Sequence, residues 1–422
     1  MPGLTPGEAR VLAAVDEAEL LRMLVELVQV PSVTGSAAES ELQHRLARQL
    51  AELGLEVDLW SMDLAELRSM ADFPGMEADR VEGWGLVAWT EDGEEDQPPA
   101  LILQGHVDVV PPGDLRRWTT DPFRAHVSGQ ALQGRGACDM KAGVAAMLGA
   151  VKALRRAGVR LRRRLALHLV VGEEDGGLGA FATLCRGHRG QACLIPEPTS
   201  ETLITAAAGA LTFRLRVSGR ATHGSSSYAG ASAVDAYLPL HLALSSLEAR
   251  RNRDVDPLMR EYPVAYTISV GRLQAGDWAS SVPDLLLAEG RLGVALDENP
   301  AHARRELELT LREACRADPW LRTHPVEVEW WGGQFESGRL PPGHWLEGLV
   351  AKAVQDLYGA PPRTRGAPYG SDLRLYAAQG IATLHLGPGD VRLAHGPNEE
   401  VPLLEMVRVC RALTLTVLRC CA

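Results

Sequence analysis

The chain has 422 residues, more than one ordinary hydrophobic core accommodates, so two domains are expected. Hydrophobic residues make up 46% and charged residues 23% of the sequence, as in ordinary globular proteins. The formal net charge of −11 argues against nucleic acid and anionic membranes as partners.

Cysteine usage and the lack of long apolar stretches indicate the compartment. The seven cysteines are odd in number and scattered, and no CxxC pair occurs. This pattern favours a reduced, cytoplasmic protein without a structural zinc–thiolate site. No stretch approaches about 18 consecutive apolar residues, so no membrane-spanning helix is expected. The charged, amphipathic N-terminal segment does not resemble a secretory signal.

The first half of the chain predicts an α/β domain. Its periodicity predicts helices over about 11–28, 37–54, 139–158 and 178–187, and strands over 55–60, 100–110, 164–171 and 192–199. The acidic segment 62–97, around the apolar letters LVAW, is predicted to be irregular. Alternating strands and helices indicate a three-layer αβα domain with a mostly parallel sheet, in which ligands bind beyond the carboxyl ends of the strands.

From about residue 209 the apolar residues alternate with period two, which is typical of a sheet with one exposed face. The predicted order is strand, helix, strand, strand, helix, strand. This order indicates a ferredoxin-like α+β domain over 209–330, inserted into a larger domain made of 1–208 and 331–422.

Five short stretches concentrate possible metal ligands at predicted strand ends or loops. They are GHVDVV with His106 and Asp108, GRGACDMK with Asp139, GEEDGG with Glu173 and Glu174, PEPT with Glu197, and AHGPNEE with His395. Each stretch alone is more often a structural turn than a ligand. Together, two histidines and several carboxylates at similar positions of one sheet suit a Zn²⁺ or Mn²⁺ site built for hydrolysis.

A charge balance explains why two adjacent glutamates follow a buried strand. Two divalent cations bring four positive charges, which Asp139, Glu174, Glu197 and a bridging hydroxide would neutralise. Glu173 then lies outside the balance and is free to act as a base.

The sequence resembles the zinc-dependent amidohydrolase and exopeptidase family of acetylornithine deacetylase, succinyl-diaminopimelate desuccinylase, glutamate carboxypeptidase and aminoacylase. The resemblance covers nearly the whole chain and rests on six motifs in the family's order: GHVDVVPPGDLRRWTTDPF, GQALQGRGACDMKAGVAA, GEEDGG, PEPT, GRATHGSS and AHGPNEE. It implies the same two-domain build, in which the inserted domain serves as lid and dimerisation domain.

The resemblance also implies a ligand set for two Zn²⁺ ions, with Co²⁺ or Mn²⁺ as possible substitutes. His106 and Glu197 would bind one ion. Glu174 and His395 would bind the other. Asp139 would bridge the two ions, and the peptide bond after Asp139 is expected to be cis.

Three further residues receive catalytic roles from the resemblance. Glu173 would be the general base that takes a proton from the water and passes it to the leaving amine. Asp108 would hold the imidazole of His106 in the correct tautomer. His223 would reach the active site of the partner subunit in a homodimer and stabilise the oxyanion.

Substrate-binding candidates come from the second half of the chain. Arg291 lies where the family places an arginine for the substrate carboxylate, and Gly370, Ser371 and Asp372 lie in a stretch that resembles a substrate-side loop. The sequence departs from the family at Ser280, where an asparagine is usual; the serine hydroxyl is shorter and offers one donor.

The leading hypothesis is a dinuclear zinc hydrolase that cleaves the amide bond of an N-acyl amino acid. A metallo-carboxypeptidase or dipeptidase is the alternative, because the scissile amide of a short peptide is chemically alike. A non-catalytic binding protein of the same fold is the third hypothesis, and it predicts a broken ligand set. A substrate panel separates the first two, and metal content separates the third.

Overall fold

The computed structural model describes residues 3–91 and 97–422, so residues 92–96 of the segment predicted to be irregular lie outside it. The helices are α1 (Pro6–Ala13), α2 (Glu17–Val28), α3 (Ala37–Glu52), α4 (Leu64–Ser69), α5 (Ala142–Arg156), α6 (Leu178–Cys185), α7 (Ala233–Arg251), α8 (Pro300–Ala317), α9 (Trp345–Tyr358), α10 (Leu373–Ala378) and α11 (Leu403–Cys421). The strands are β1 (Leu55–Ser61), β2 (Trp84–Thr90), β3 (Leu101–His106), β4 (His126–Ser128), β5 (Ala131–Gln133), β6 (Leu165–Val170), β7 (Ala192–Ile195), β8 (Leu203–Ala207), β9 (Gly209–Ser218), β10 (Ile268–Ala275), β11 (Leu285–Val294), β12 (Glu327–Phe335), β13 (Gly338–Arg339), β14 (Thr364–Ala367), β15 (Ala382–His385) and β16 (Glu400–Pro402).

The chain forms two compact units. The first comprises Met1–Ala206, Arg339–Arg365 and Asp372–Ala422, and the second comprises Ala207–Gly338 and Gly366–Ser371. The second unit extends past residue 330 because β12 continues to Phe335. Residues 366–371 also belong to it, because the Ala208 N–H donates to Ala367 and the Tyr262 hydroxyl donates to Gly366.

The first unit is built on a large mixed sheet. Its strand order is β1-β2-β6-β3-β7-β15-β8-β13, with β14 also paired to β8. The four central strands β6, β3, β7 and β15 run parallel, whereas β1 and β2 are antiparallel at one side. Every residue of β3, β6 and β7 is buried, as expected for strands covered on both faces.

Helices cover both faces of this sheet. Leu101 and Leu103 of β3 join the apolar cluster that includes residues of α5 and α11, whereas Ile102 between them joins a second cluster with α6 and α10. Alternate residues of a strand point to opposite faces, so this division defines helix layers on either side. The expectation of an α/β protein with a large, mostly parallel central sheet is confirmed.

The second unit is a four-stranded antiparallel sheet with two helices. Its strand order is β10-β11-β9-β12, and the elements follow one another as β9, α7, β10, β11, α8, β12. Its own apolar core includes Phe213 of β9, Leu240 of α7 and Leu307 of α8. This is the ferredoxin-like arrangement that the period-two pattern indicates.

Three local expectations differ from the structure. The predicted helix 11–28 is two helices, because Asp16 accepts the N–H of Glu19 and starts α2 afresh. Within 62–97, α4 forms and β2 pairs between β1 and β6, so this part is not irregular. The helix predicted from residue 139 begins at Ala142, after a tight turn. None of the helices in the described ranges is both long and apolar enough to cross a membrane.

Candidate metal centre

The predicted ligands follow the buried parallel strands of the first unit. β3 ends at His106, the GEEDGG turn follows β6, and Glu197 comes two residues after β7. Parallel strands end at the same edge of a sheet, so these side chains are delivered to one place. The peptide bond between Asp139 and Met140 is cis, as the resemblance predicts.

His106 lies at the centre of the cluster with its ring nitrogens in separate environments. Its Nδ1 lies 3.0 Å from the main-chain oxygen of Asp108, so Nδ1–H donates to this carbonyl. Its Nε2 lies 3.1 Å from Asp139 Oδ1 and 3.8 Å from Glu197 Oε1. This tautomer leaves the Nε2 lone pair for a metal ion.

A second histidine completes the other side of Asp139. His395 Nε2 lies 2.9 Å from Glu174 Oε2 and 3.5 Å from Asp139 Oδ2. One oxygen of Asp139 therefore faces His106 and the other faces His395. All five predicted ligands converge, and Asp139 has the geometry of a bridging carboxylate.

Two ligand groups can be drawn within this cluster. The ligand atoms of His106, Asp139 and Glu174 all lie within 4.8 Å of one another, and so do those of His106, Glu173 and Glu197. Histidine nitrogen and carboxylate oxygen without thiolate form a donor set that suits Zn²⁺ or Mn²⁺. The residues present therefore fit divalent metal ions.

The protonation equilibria reflect the crowding of acids. Burial raises the pKa of Glu197 well above its ordinary value; His106 opposes this rise, whereas the charges of Asp139 and Glu174 add to it. The charge of Glu174 raises the pKa of His395 to about 11. Although burial alone lowers it, the hydrogen bond with Asp139 raises the pKa of His106. The carboxylates thus provide a strongly negative environment that favours cations.

Glu173 is buried next to the predicted ligands. Burial raises the pKa of Glu173 well above its ordinary value, and the charge of Asp372 raises it further. Asp372 is itself buried, and its Oδ2 accepts a hydrogen bond of 2.8 Å from Gln104. A carboxyl group with a raised pKa in such a site is suited to proton transfer.

Asp108 organises the loop that carries the two glutamates. Its Oδ1 and Oδ2 accept the N–H groups of Glu173 and Glu174, both at 3.3 Å, and Oδ2 accepts the Thr34 hydroxyl at 3.0 Å. Its Oδ1 is 3.6 Å from His106 Nδ1, farther than its own main-chain oxygen. The hydrogen bond that sets the tautomer of His106 therefore comes from the main-chain oxygen of Asp108 and not from its predicted side chain, whose carboxylate lies beside the imidazole and holds the glutamate turn.

The backbone around Glu197 packs closely against two glycines. A Cβ on Gly143, in the first turn of α5, would lie 2.1 Å from the Pro196 carbonyl oxygen. A Cβ on Gly387 would lie 2.1 Å from the Glu197 carbonyl oxygen. Side chains at either position would displace the ligand segment.

Sequence reasoning missed a buried ion pair beneath the glutamate turn. Arg80 Nη1 contacts Glu39 Oε2 at 2.9 Å, and Glu39 Oε1 accepts the Gly172 N–H at 3.2 Å. Arg80 Nη2 also lies 4.0 Å from Asp175 Oδ1. Glu39 lies in an amphipathic helix and Arg80 in an acidic segment, so neither has a local pattern that marks it as buried. Asp175, in the GEEDGG stretch, is the sequence feature that could have indicated a buried cation beneath this turn.

The remaining predicted residues lie in the second unit. His223 is exposed at the start of a short 3₁₀ turn, where its Nδ1 accepts the Ser225 N–H at 3.2 Å. Arg291 lies in β11 and donates to the Pro368 carbonyl at 3.3 Å. Ser371 is buried, and Gly370 packs so closely on Phe335 that a Cβ would approach its ring carbon to 2.6 Å.

Comparison with known proteins identifies the family. The chain matches the family model of peptidase family M20/M25/M40 over residues 102–419. The chain belongs to this family. Members of peptidase family M20/M25/M40 are hydrolases that act on amide bonds and use divalent metals, and the chain is an enzyme of this class.

Individual relatives span almost the whole chain. An N-formyl-4-amino-5-aminomethyl-2-methylpyrimidine deformylase from Halalkalibacterium halodurans is 28% identical, over 97% of this chain and 96% of the relative. A succinyl-diaminopimelate desuccinylase from Alkalilimnicola ehrlichii is 29% identical, over 91% and 94%. The dipeptidase Dug1p of Saccharomyces cerevisiae has a similar fold, with a TM-score of 0.78, 14% identity and coverage of 97% and 98%.

Proposed function

We propose that this M20/M25/M40 enzyme is a dinuclear zinc hydrolase that removes an acyl group from the nitrogen of a small N-acyl amino acid. The observation that carries the proposal is the convergence of His106, Asp139, Glu174, Glu197 and His395, with Glu173 beside them. A desuccinylase and a deformylase among the relatives, both amide hydrolases by name, support an N-acyl substrate.

The ligand residues would hold two Zn²⁺ ions, with Co²⁺ or Mn²⁺ as substitutes. His106 and Glu197 would hold one ion, Glu174 and His395 the other, and Asp139 both. Bound metal ions would polarise the scissile carbonyl and lower the pKa of a bound water.

Glu173 would carry the proton in this reaction. Its carboxylate Oε would accept a proton from the attacking water and then donate it to the nitrogen of the leaving amine. Burial next to the ligands supports this role, because a base shielded from bulk water keeps its proton for the leaving group. Asp108 would fix the turn that orients Glu173 through its hydrogen bonds to both glutamate N–H groups.

Arg291 would bind an anionic group of the substrate. Its Nε is buried and has no hydrogen-bond partner, and within the described ranges no carboxylate pairs with it. Burial lowers the pKa of Arg291, because little around the guanidinium compensates its charge. A partly buried guanidinium in this state favours a carboxylate ligand, which could bind both nitrogens of the fork.

His223 would act in the active site of the partner subunit of a homodimer. Because its Nδ1 accepts the Ser225 N–H, the neutral ring carries its proton on Nε2, which can donate to an oxyanion. Leu238 and Leu242 are exposed one turn apart on α7 of the same unit, and they support a contact with a second copy. Light scattering at micromolar concentration is expected to give a dimer in the wild type and a monomer in Leu238→Glu.

The role of Glu173 is tested by Glu173→Gln, with metal content measured on the same sample. General-base catalysis is typically worth about 10²- to 10⁴-fold, so kcat is expected to fall by this factor while two ions remain bound. Loss of an ion instead would identify Glu173 as a ligand. Retained turnover with both ions bound would contradict the assignment. Glu298→Gln, in the second unit, serves as a control for the substitution itself.

A metallo-carboxypeptidase or dipeptidase is the second candidate, favoured by the fold shared with a yeast dipeptidase. A panel of N-formyl, N-acetyl and N-succinyl amino acids and dipeptides separates the two. The proposal expects the highest kcat/KM for an N-acyl amino acid, and a preference for dipeptides would replace it with the alternative. We also propose a reducing, cytoplasmic location, which the seven free cysteines support.

A further inference from the structure

A second buried ion pair lies next to the metal centre and has no role in the proposed reaction. Arg135 and Glu399 are each 1% exposed, and Arg135 Nη1 contacts Glu399 Oε2 at 2.6 Å. They meet because β5 pairs antiparallel with β16, and the Gly134 N–H continues this pairing by donating to the Glu399 carbonyl. The two residues are 264 positions apart in sequence.

The second carboxylate oxygen of Glu399 holds the segment of the bridging ligand. Glu399 Oε1 accepts the N–H of Cys138 at 2.9 Å and the N–H of Asp139 at 3.1 Å. These bonds fix the backbone at the residue whose two oxygens face His106 and His395. A shift of this backbone would move both oxygens together.

Arg135 holds the segment of the other histidine. Its Nη2 donates to the main-chain oxygen of His395 at 3.2 Å, and its guanidinium lies 5.2 Å from the ring centroid of Trp118. His395 has φ of +62°, in the left-handed region that a residue with a side chain rarely adopts. This conformation needs support from outside the loop, and the guanidinium provides it.

The partners of these hydrogen bonds indicate that the ion pair does more than stabilise the fold. A buried ion pair is weak evidence for stability, because desolvation of both charges offsets most of the attraction. Here Glu399 Oε1 and Arg135 Nη2 contact the two ligand segments, and Nη2 also lies 3.5 Å from the Pro111 carbonyl oxygen. Residues that hydrogen-bond to metal ligands without contacting the metal commonly change metal affinity by about 10- to 100-fold.

We propose that Glu399, held by Arg135, is a positioning residue that fixes Asp139 and His395 in the geometry required for metal binding. The inference rests on the proposed metal centre. Arg135 of GRGACDMK and Glu399 of AHGPNEE form one ion pair that links the two motifs.

The experiment measures metal affinity and does not depend on turnover. Metal-free wild-type protein and the variants Glu399→Gln and Arg135→Lys are titrated with Zn²⁺ in competition with a chromophoric chelator, and their melting temperatures are recorded. Glutamine retains one oxygen for the two N–H groups but loses the charge. Lysine keeps the charge but cannot reach both Glu399 and the His395 carbonyl as a fork does.

Glu298→Gln is the matched control. Glu298 also pairs with a buried arginine, Arg251, and accepts a main-chain N–H, that of Ala295 at 2.8 Å. It lies in the second unit, which contains none of the predicted metal ligands. Its replacement should lower the melting temperature of the metal-free protein without changing Zn²⁺ affinity.

The expected result is a Zn²⁺ dissociation constant about 10- to 100-fold higher in Glu399→Gln than in the control, with a smaller increase in Arg135→Lys. Wild-type affinity for two ions in both variants, together with lowered melting temperatures, would assign the pair to fold stability alone and overturn the inference. If Glu399→Gln does not fold, Arg135→Lys decides. A wild-type protein that binds no metal would instead refute the proposed function.

Discussion

The contact between Gly143 and the Pro196 carbonyl gives a prediction whose sign separates two physical effects. Gly143 lies in the first turn of α5, and helix propensity alone predicts that Gly143→Ala stabilises the protein by about 1 kcal/mol. In the structure, however, the added Cβ would lie 2.1 Å from the Pro196 oxygen. The two effects therefore oppose each other.

The displacement can be worked out from the structure. Ordinary contact begins at 3.4 Å, so the Cβ and the carbonyl oxygen must separate by about 1.3 Å. The Pro196 carbonyl cannot easily move away, because the backbone of Gly387 is also close to it. A Cβ on Gly387 would lie only 2.3 Å from the same oxygen. Overpacking of this kind costs about 1–3 kcal/mol. Glu197 is the next residue, so a metal ligand moves with the carbonyl.

Gly348→Ala in α9 is the control, because nothing lies within 4 Å of its Cβ position. We expect Gly348→Ala to raise the melting temperature and leave activity unchanged. Gly143→Ala should lower the melting temperature and reduce kcat/KM by about 100-fold, the usual effect of a ligand shift of about 1 Å. Melting by circular dichroism and steady-state kinetics measure both. A Gly143→Ala variant that is stabilised and fully active would refute the reasoning.

Two further predictions address the ligands and the substrate site. His395→Ala is expected to fold normally, because its side chain is 56% exposed, but to retain only the ion held by His106 and Glu197; elemental analysis showing two ions would contradict the assignment. Arg291→Ala is expected to raise KM for a carboxylate-bearing substrate by about 10- to 100-fold, since a charge-assisted hydrogen bond contributes about 1.5–3 kcal/mol. Its metal content should be unchanged, and an equal KM for the acid and its carboxamide in the wild type would exclude the role.

The parts of the fold with a periodic pattern could be predicted from the sequence. The buried strands that end at His106 and precede Glu197 are short apolar runs, and their polar residues mark the strand ends. The period-two pattern after residue 209 likewise predicts the antiparallel sheet of the second unit. Strand β2 could not be predicted in this way, because its seven residues follow an acidic, glycine-containing segment and their apolar residues show no clear period.

The supporting ion pairs could not be predicted in the same way. Glu39 and Arg80 are 41 positions apart, and Arg135 and Glu399 are 264 apart, so no local pattern joins them. A charged residue is normally exposed, and only tertiary contacts show that these four are buried. For Arg135 and Glu399 the usable signal was their place inside the two motifs that carry Asp139 and His395.

The most direct measurement is an anomalous difference map recorded at the zinc absorption edge from crystals grown with Zn²⁺. The account predicts two peaks per chain, about 3.5–4 Å apart, on either side of the Asp139 carboxylate. One peak should contact His106 and Glu197, and the other Glu174 and His395. A single peak, or peaks away from these side chains, would contradict the dinuclear centre on which the proposed reaction depends.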